Sequence, residues 1–221
     1  RGKIPGTTGH SGSPFTQGNL MKLLLKLASY VFHPLWMPFA GSLFYFLFIP
    51  RFFPEEVIKA KLLAISIITI FIPIVFYFLL KNLGKVGSIF LKDTKERRWP
   101  LFVFILLCFM VLHQILNKYN YPALFYYFLG ILISTTLVLL FTYFNLKVSL
   151  HMVGITALMM FISIFCMYFQ IYFVYTICFL IIATGLTASS RLYYKAHTNW
   201  ELILGVIIGI IPQILVWKLW L

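Results

Sequence analysis

The sequence predicts an all-α membrane protein, and two features, its apolar composition and the length of its apolar runs, point to that fold class. Of its 221 residues, 62% are hydrophobic and only 10% are charged, whereas a soluble domain is roughly half apolar and about a quarter charged. Its apolar residues form runs of about 20, the length of a helix that crosses a bilayer. The formal net charge is +13, and with so little soluble surface this excess favours lipid or phosphate over nucleic acid as a partner.

The chain divides into a polar tail and one membrane domain. Residues 1–19 are rich in Gly, Ser and Thr, so we expect a flexible tail or a cloning remnant, with Met21 as the natural start. Residues 20–221 should form a single polytopic membrane helix bundle with six or seven transmembrane helices. The apolar runs predict spans near 27–49, 60–80, 100–117, 122–144, 149–168, 171–188 and 200–220.

Proline and glycine residues refine these elements. Pro34 and Pro38 predict a kink or a preceding turn in the first span. The break between the fifth and sixth spans, near 168–172, has the weakest signal. Gly205 and Gly209 form a small-xxx-small step, which predicts close packing between helices.

Three polar stretches fall on one membrane face when the spans are counted in order. We call this face X, the face that receives the end of the second span. The stretches are "LKDTKERRWP" (91–100), "NLKVSLHM" (145–152) and "SSRLYYKAHTNWE" (189–201). A single miscounted span between them would place them on opposite faces, so their convergence is a prediction that the fold can contradict.

The third stretch has the most specific spacing in the chain. The Arg191 guanidinium is suited to bidentate phosphate binding, and a neutral His197 imidazole can attack phosphorus as a nucleophile. Glu201, four residues further on, would share a helix face with His197 and fix its tautomer. A simpler interpretation is that Thr198 and Glu201 form a capping box that opens the last helix.

The second and first stretches add further polar groups. Ser149 stands two residues before His151 at the start of a span, where a hydroxyl and free amides can bind an anion. His151 can then protonate a leaving oxygen as general acid. The first stretch is rich in Lys and Arg, which neutralise phosphoryl oxygens, and Arg98 adjoins the span. Each of these residues also fits a simpler role as an interfacial group that faces lipid headgroups.

Together the three stretches resemble the type 2 phosphatidic acid phosphatase family. Its pattern is Lys-x6-Arg-Pro, then Pro-Ser-Gly-His, then Ser-Arg-x5-His-x3-Asp. Here "SRLYYKAHTNWE" matches the third motif, with Glu201 in the place of Asp. "VSLH" keeps the Ser and His of the second motif, while Val148 and Leu150 replace its Pro and Gly.

The first motif fits more loosely, because Trp99 separates Arg98 from Pro100 and Lys92 stands at a different distance. The resemblance implies a vanadium haloperoxidase-like helical core and a metal-independent phosphohistidine mechanism. It makes His197 the nucleophile, Glu201 its orienting partner and His151 the general acid. The residues implied to bind substrate phosphate are Arg191, Ser149, Arg98 and Lys92.

We therefore expect an integral membrane lipid phosphatase that hydrolyses a lipid phosphomonoester or diphosphate. One alternative is a non-catalytic phospholipid-binding or lipid-transport protein that keeps the fold, which the altered second motif favours. Another is a lipid phosphotransferase that uses the same phosphohistidine, and a third is a purely structural membrane protein. The expected partners are a lipid phosphate and the bilayer, and the oligomeric state is left open.

Neither a metal nor another cofactor is expected. Cys108, Cys166 and Cys178 lie in apolar runs without ligand-like spacing, and the five acidic residues are too few near the site to hold a hard cation. His33 and His113 lie within or beside apolar runs, and we expect structural roles for both, although ionisable residues in a membrane often serve function.

The distribution of positive charge bears on localisation. Of the 18 Lys and Arg residues, 13 fall on face X, which the positive-inside rule would make cytoplasmic. Several of these cations also suit phosphate binding, so the side stays open. We expect a bacterial inner membrane.

Overall fold

The computed structural model describes residues 15–86 and 93–219, with side chains from residue 19 on. Within these residues every regular element is helical, and six segments are long and apolar enough to cross a membrane. The predicted all-helical bundle is confirmed, and the chain is an integral membrane protein. Its α-helices are α1 (Phe15–Val31), α2 (Met37–Phe48), α3 (Glu55–Ser66), α4 (Ile72–Asn82), α5 (Thr94–Met110), α6 (Pro122–Tyr143), α7 (Leu150–Phe169), α8 (Val174–Tyr193) and α9 (Asn199–Trp217).

Two spans are longer than their α-helices because π-helical turns extend them. Ile67–Phe71 joins α3 to α4 in one span of 28 residues, and Val111–Ile115 continues α5. The weakly predicted break between α7 and α8 is also present, and Gln170 in the left-handed conformation ends α7 there. The prediction of six or seven spans is therefore confirmed.

The first predicted span, 27–49, is two helices that meet at an angle of 42°. After α1 the chain turns through His33 and a short 3-10 helix, Pro34–Trp36, before α2 begins. Pro34 has no amide hydrogen with which to continue α1 and suits the first turn of the next helix. The predicted kink is confirmed.

The start of α1 lies within the segment 1–19, for which we expected a flexible tail or a cloning remnant. α1 begins at Phe15, so the last residues of that segment are helical. Once a helix is nucleated, each further residue adds a hydrogen bond, and no proline interrupts the chain between Phe15 and Pro34. Residues 1–14 lie outside the described part of the chain.

The loops alternate between two faces of the bundle. On one face, Arg51 in the loop before α3 donates a hydrogen bond to the Asn120 carbonyl, before α6, over 3.2 Å. On the other face, Lys147 before α7 donates to the Ala196 carbonyl, before α9, over 2.9 Å. This second face is face X, so the convergence of the second and third polar stretches is confirmed.

The helices that end on face X share one type of C-terminal cap. After α4, α6 and α8, the residues Gly84, Asn145 and Lys195 adopt the left-handed conformation, with φ of 68°, 57° and 49°. After α8 the Ala196 amide donates to the Arg191 carbonyl over 2.9 Å, as in a Schellman motif. Gly and Asn are the usual residues at that position, so Lys195 is an exception in the turn that follows Arg191.

Two glycines allow α9 to pack closely against α7. A Cβ atom at Gly205 would lie 2.8 Å from the Ser149 carbonyl oxygen, and one at Gly209 would overlap the Thr156 hydroxyl. The close packing predicted from the small-xxx-small step is confirmed. Because Gly205 faces Ser149, the same contact brings the start of α7 against the start of α9, where the predicted site residues lie.

Candidate functional site

His197 and Glu201 form a hydrogen-bonded pair at the start of α9. His197 Nδ1 lies 2.6 Å from Glu201 Oε2, the contact that their spacing predicts. A carboxylate oxygen accepts, so Nδ1 carries the proton and the neutral ring has its lone pair on Nε2. No described residue bonds to Nε2, and the His197 side chain is only 6% exposed.

Glu201 also takes part in a capping box. Its amide donates to Thr198 Oγ1 over 3.4 Å, and the Thr198 amide donates to Glu201 Oε2 over 3.3 Å. The same carboxylate oxygen therefore accepts hydrogen bonds from the imidazole of His197 and from the start of α9. Glu201 is therefore both the partner of His197 and a member of the capping box, because the cap fixes the carboxylate that orients the imidazole.

The surroundings keep His197 neutral. Burial, with a smaller contribution from the positive charges of Arg97 and Lys147, lowers the pKa of His197 to about 4. The hydrogen bond to Glu201 raises this pKa but does not offset the burial. At neutral pH the Nε2 lone pair is thus available, which a nucleophilic imidazole requires.

The first polar stretch contributes Arg97 to this cluster. Arg97 is 5% exposed and donates a hydrogen bond to the Val148 carbonyl over 2.9 Å. Its charge acts on His197. Sequence reasoning missed Arg97. Its helical spacing could have identified it, because Arg97 precedes the core residue Leu101 by four positions and shares its buried face.

Arg98, the cation that we predicted, faces another direction. It donates to the Thr142 carbonyl over 3.0 Å, and its guanidinium lies 4.5 Å from the centre of the Tyr143 ring. These contacts hold it at the end of α6, on face X but away from His197. Lys92, predicted from the family pattern, lies outside the described residues.

Ser149 lies where the second and third stretches meet. It is fully buried, and its hydroxyl has no hydrogen-bond partner among the described residues. Its amide donates to the Glu201 carbonyl over 3.2 Å. Val148, in the position of the family's proline, is buried in a small apolar cluster with Leu101. A buried hydroxyl without a partner at a helix start is suited to an anion.

His151, in the first turn of α7, contacts the end of α1. Its Nε2 lies 3.2 Å from the Ser29 carbonyl oxygen, so Nε2 is the donor. The ring of His33 packs edge to face against it, with the ring centroids 5.1 Å apart. His151 is also close enough to Arg191 and His197 for electrostatic interaction.

Arg191, near the end of α8, points toward the same place. It is 8% exposed and donates a hydrogen bond to the Ser29 hydroxyl, while its Nε finds no partner among the described residues. The Ser29 hydroxyl is 2.5 Å from that of Ser190, which donates to the Leu25 carbonyl over 2.7 Å. The end of α1 therefore occupies the space in front of Arg191 and His151.

The structure thus brings most of the predicted site residues together. They are His197, Glu201, His151, Arg191 and Ser149. Sequence reasoning missed Ser29 and did not connect His33 with the site, because neither stands in a motif with the others. His113, by contrast, is exposed and stacks on Phe109, at the opposite end of α5 from Arg97.

The assembled groups are suited to an anion. Two buried arginines and an unpartnered buried hydroxyl surround the histidines, and guanidinium groups bind phosphate and carboxylate strongly. Among the described residues, no group of three His, Cys, Asp or Glu side chains is arranged to hold a metal ion. The cysteines in this part of the chain are unpaired.

In comparisons with known proteins, no family model matches the chain, and no curated protein or solved structure matches it either.

Proposed function

We propose that this protein is a lipid phosphatase that resembles the type 2 phosphatidic acid phosphatases and acts at face X. The observation that carries the proposal is the 2.6 Å contact between His197 and Glu201. It leaves Nε2 of a buried, neutral imidazole unbonded by any described residue, within a cluster that contains the buried Arg97 and Arg191. A perturbed, oriented imidazole surrounded by cations is typical of a nucleophile for phosphoryl groups.

In the first chemical step, Nε2 of His197 attacks phosphorus, and the bond from phosphorus to the lipid oxygen breaks as the N–P bond forms. Glu201 accepts the Nδ1 hydrogen bond and stabilises the positive charge that develops on the ring. His151, protonated when the phosphate dianion is bound, transfers its proton to the leaving lipid oxygen. The products are a neutral lipid alcohol and phosphohistidine.

In the second step, water attacks the phosphohistidine and gives a proton to His151. The N–P bond breaks, inorganic phosphate leaves, and both histidines return to their starting protonation states. No other reactant is required. A lipid alcohol in place of water would make the same intermediate serve phosphotransfer, so the acceptor distinguishes the two reactions.

Substrate phosphate would be bound by Arg191, Arg97 and the Ser149 hydroxyl, with Arg98 further out, and the family pattern adds Lys92 to this group. The hydrogen bonds that Ser29 now takes from Arg191 and His151 are those that a phosphate would take. Phosphate binding must therefore displace Ser29, and the lipid chain stays in the bilayer. The proposed location is a bacterial inner membrane, with either face as the site of the reaction.

A non-catalytic lipid binder is the second candidate. It is favoured by the hydrogen bonds that Arg191 and His151 already make to Ser29. The contacts that hold Arg98 against Thr142 and Tyr143 favour it as well. Such a protein would bind lipid headgroups at face X without cleaving them.

The test is phosphate release from a panel of lipid phosphates by purified protein in detergent with a chelator present. We expect release by the wild type, loss of release in His197→Ala, and wild-type rates in His113→Ala, a matched change at an exposed histidine. No release by a folded wild type that binds the lipids would favour the non-catalytic binder. Transfer to an added alcohol in place of release would identify a phosphotransferase.

A further inference from the structure

His33 occupies the bend between α1 and α2 and makes two contacts there. Its Nδ1 accepts a hydrogen bond from the Leu35 amide over 3.4 Å, as the N-cap of the short 3-10 helix. Its ring lies at 82° to that of His151, with the centroids 5.1 Å apart. One side chain therefore links the bend in the chain to the predicted general acid.

The proposed general acid, His151, needs such a contact because phosphate binding removes the hydrogen bond that now orients it. In the structure His151 is oriented by its hydrogen bond to the Ser29 carbonyl. In the proposed reaction phosphate takes the place of Ser29, and this hydrogen bond is lost. The contact with His33 is made between the two rings and is separate from the hydrogen bond of Nε2 to Ser29, so the loss of that hydrogen bond does not by itself remove it. Aromatic rings favour such edge-to-face arrangements over a face-to-face sandwich.

We propose that His33 is a positioning residue whose ring fixes the orientation of His151 for proton transfer to the leaving oxygen. This inference rests on the proposed function and extends it to a residue outside the three polar stretches. A purely structural role would consist of the cap on the 3-10 helix. The ring contact and the cap use different parts of the side chain, so substitutions can separate them.

Two variants make this separation. His33→Asn keeps an acceptor suited to the N-cap but removes the ring. His33→Phe keeps a ring that packs against His151 but removes the acceptor. His113→Asn makes the same substitution as the first variant at an exposed histidine away from the site.

The readout is kcat/KM for two phosphate esters in detergent, because kcat/KM reports the steps up to departure of the leaving group. Octyl phosphate releases an alkoxide that needs a proton, whereas 4-nitrophenyl phosphate releases a stable phenolate. We expect His33→Asn to lose roughly tenfold or more on octyl phosphate, since misplacing a catalytic group has effects of that size. On 4-nitrophenyl phosphate the change should stay within about threefold, because the loss of a general acid matters little there.

His33→Phe and His113→Asn should keep the wild-type ratio of the two rates. This ratio does not depend on the fraction of folded protein, so partial misfolding of a variant does not alter it. Equal losses by His33→Asn on both esters, or none on either, would show a structural role and overturn the inference. A change of the ratio in His33→Phe as large as that in His33→Asn would overturn it as well. No release by the wild type on any ester would overturn the proposed function and this inference with it.

Discussion

The two histidines of the candidate site are held in different ways. His197 is oriented by Glu201, four residues along the chain, and the same carboxylate caps the helix that follows. His151 is contacted instead by the Ser29 carbonyl, 122 residues earlier in the chain, and by the ring of His33. Movements between helices leave the first pair intact but change the contacts of His151. The proposed nucleophile half of the site is therefore preorganised, and the proposed acid half depends on the position of α1.

The largest expected effect tests the preorganised half. Glu201→Gln keeps a residue that suits the capping box but removes the charge and offers His197 a donor that favours the wrong tautomer. We expect kcat/KM for lipid phosphate to fall by on the order of 10²–10⁴-fold, with thermal stability nearly unchanged. Steady-state kinetics and thermal unfolding in detergent measure the two effects.

The matched control for that variant is Thr198→Ala, which removes the cap but keeps the carboxylate. It should cost about 1 kcal/mol of stability with a much smaller loss of activity. If Thr198→Ala lost as much activity as Glu201→Gln, capping would be the main role of Glu201, and the contrast between the two halves would fail.

The next effect is the pH response of His197. Because its pKa is lowered to about 4, the ring should stay neutral and reactive at pH 5, where an ordinary histidine is only about 3% neutral. The rate of carbethoxylation by diethyl pyrocarbonate, followed by mass spectrometry at His197, measures this against N-acetylhistidine. Loss of reactivity below pH 6.5 in parallel with that reference would contradict the buried environment.

The same shift predicts how stability depends on pH. An unfolded chain binds a proton at His197 near pH 6.5, while the folded chain binds it only near pH 4. The unfolded state therefore binds more protons in this window, and this group makes the folded protein less stable as the pH falls through it. His197→Gln should reduce that acid sensitivity in thermal unfolding measured between pH 7 and pH 4.5.

A smaller effect tests the acid half. Ser29→Ala removes the hydroxyl that accepts a hydrogen bond from Arg191, so phosphate no longer competes with it. We expect orthovanadate, as a phosphate mimic, to bind about two- to tenfold more tightly, the equivalent of one hydrogen bond. Ser163→Ala, in the middle of α7, is the control. Weaker binding by Ser29→Ala would mean that Ser29 belongs to the phosphate site.

The smallest effect concerns the turn between Arg191 and His197. Lys195 has a φ of 49°, which costs a residue with a Cβ atom about 1 kcal/mol. Lys195→Gly should raise the unfolding free energy by about that amount without changing activity. Asn145→Gly, at the equivalent position after α6, should change it less because Asn tolerates this conformation. A loss of activity in Lys195→Gly would instead assign Lys195 to the site.

The sequence alone determined the features that depend on neighbours along the chain. Apolar runs of membrane length predicted the spans, and Pro34 predicted the break before α2. The four-residue spacing predicted the pair of His197 and Glu201 as well as the capping box. The convergence of the polar stretches on face X also followed from counting spans, since a helix that crosses the bilayer ends on the opposite side from where it begins.

The tertiary structure decided which groups from distant segments meet. Arg97 rather than Arg98 turns toward His197 because the packing of α5 sets which of two adjacent side chains is buried. Ser29 and His33 reach His151 only because α1 bends away from α2 and lies along α8. Local hydrogen bonding encodes contacts within one helical turn, whereas contacts across a hundred residues depend on the packing of the whole bundle.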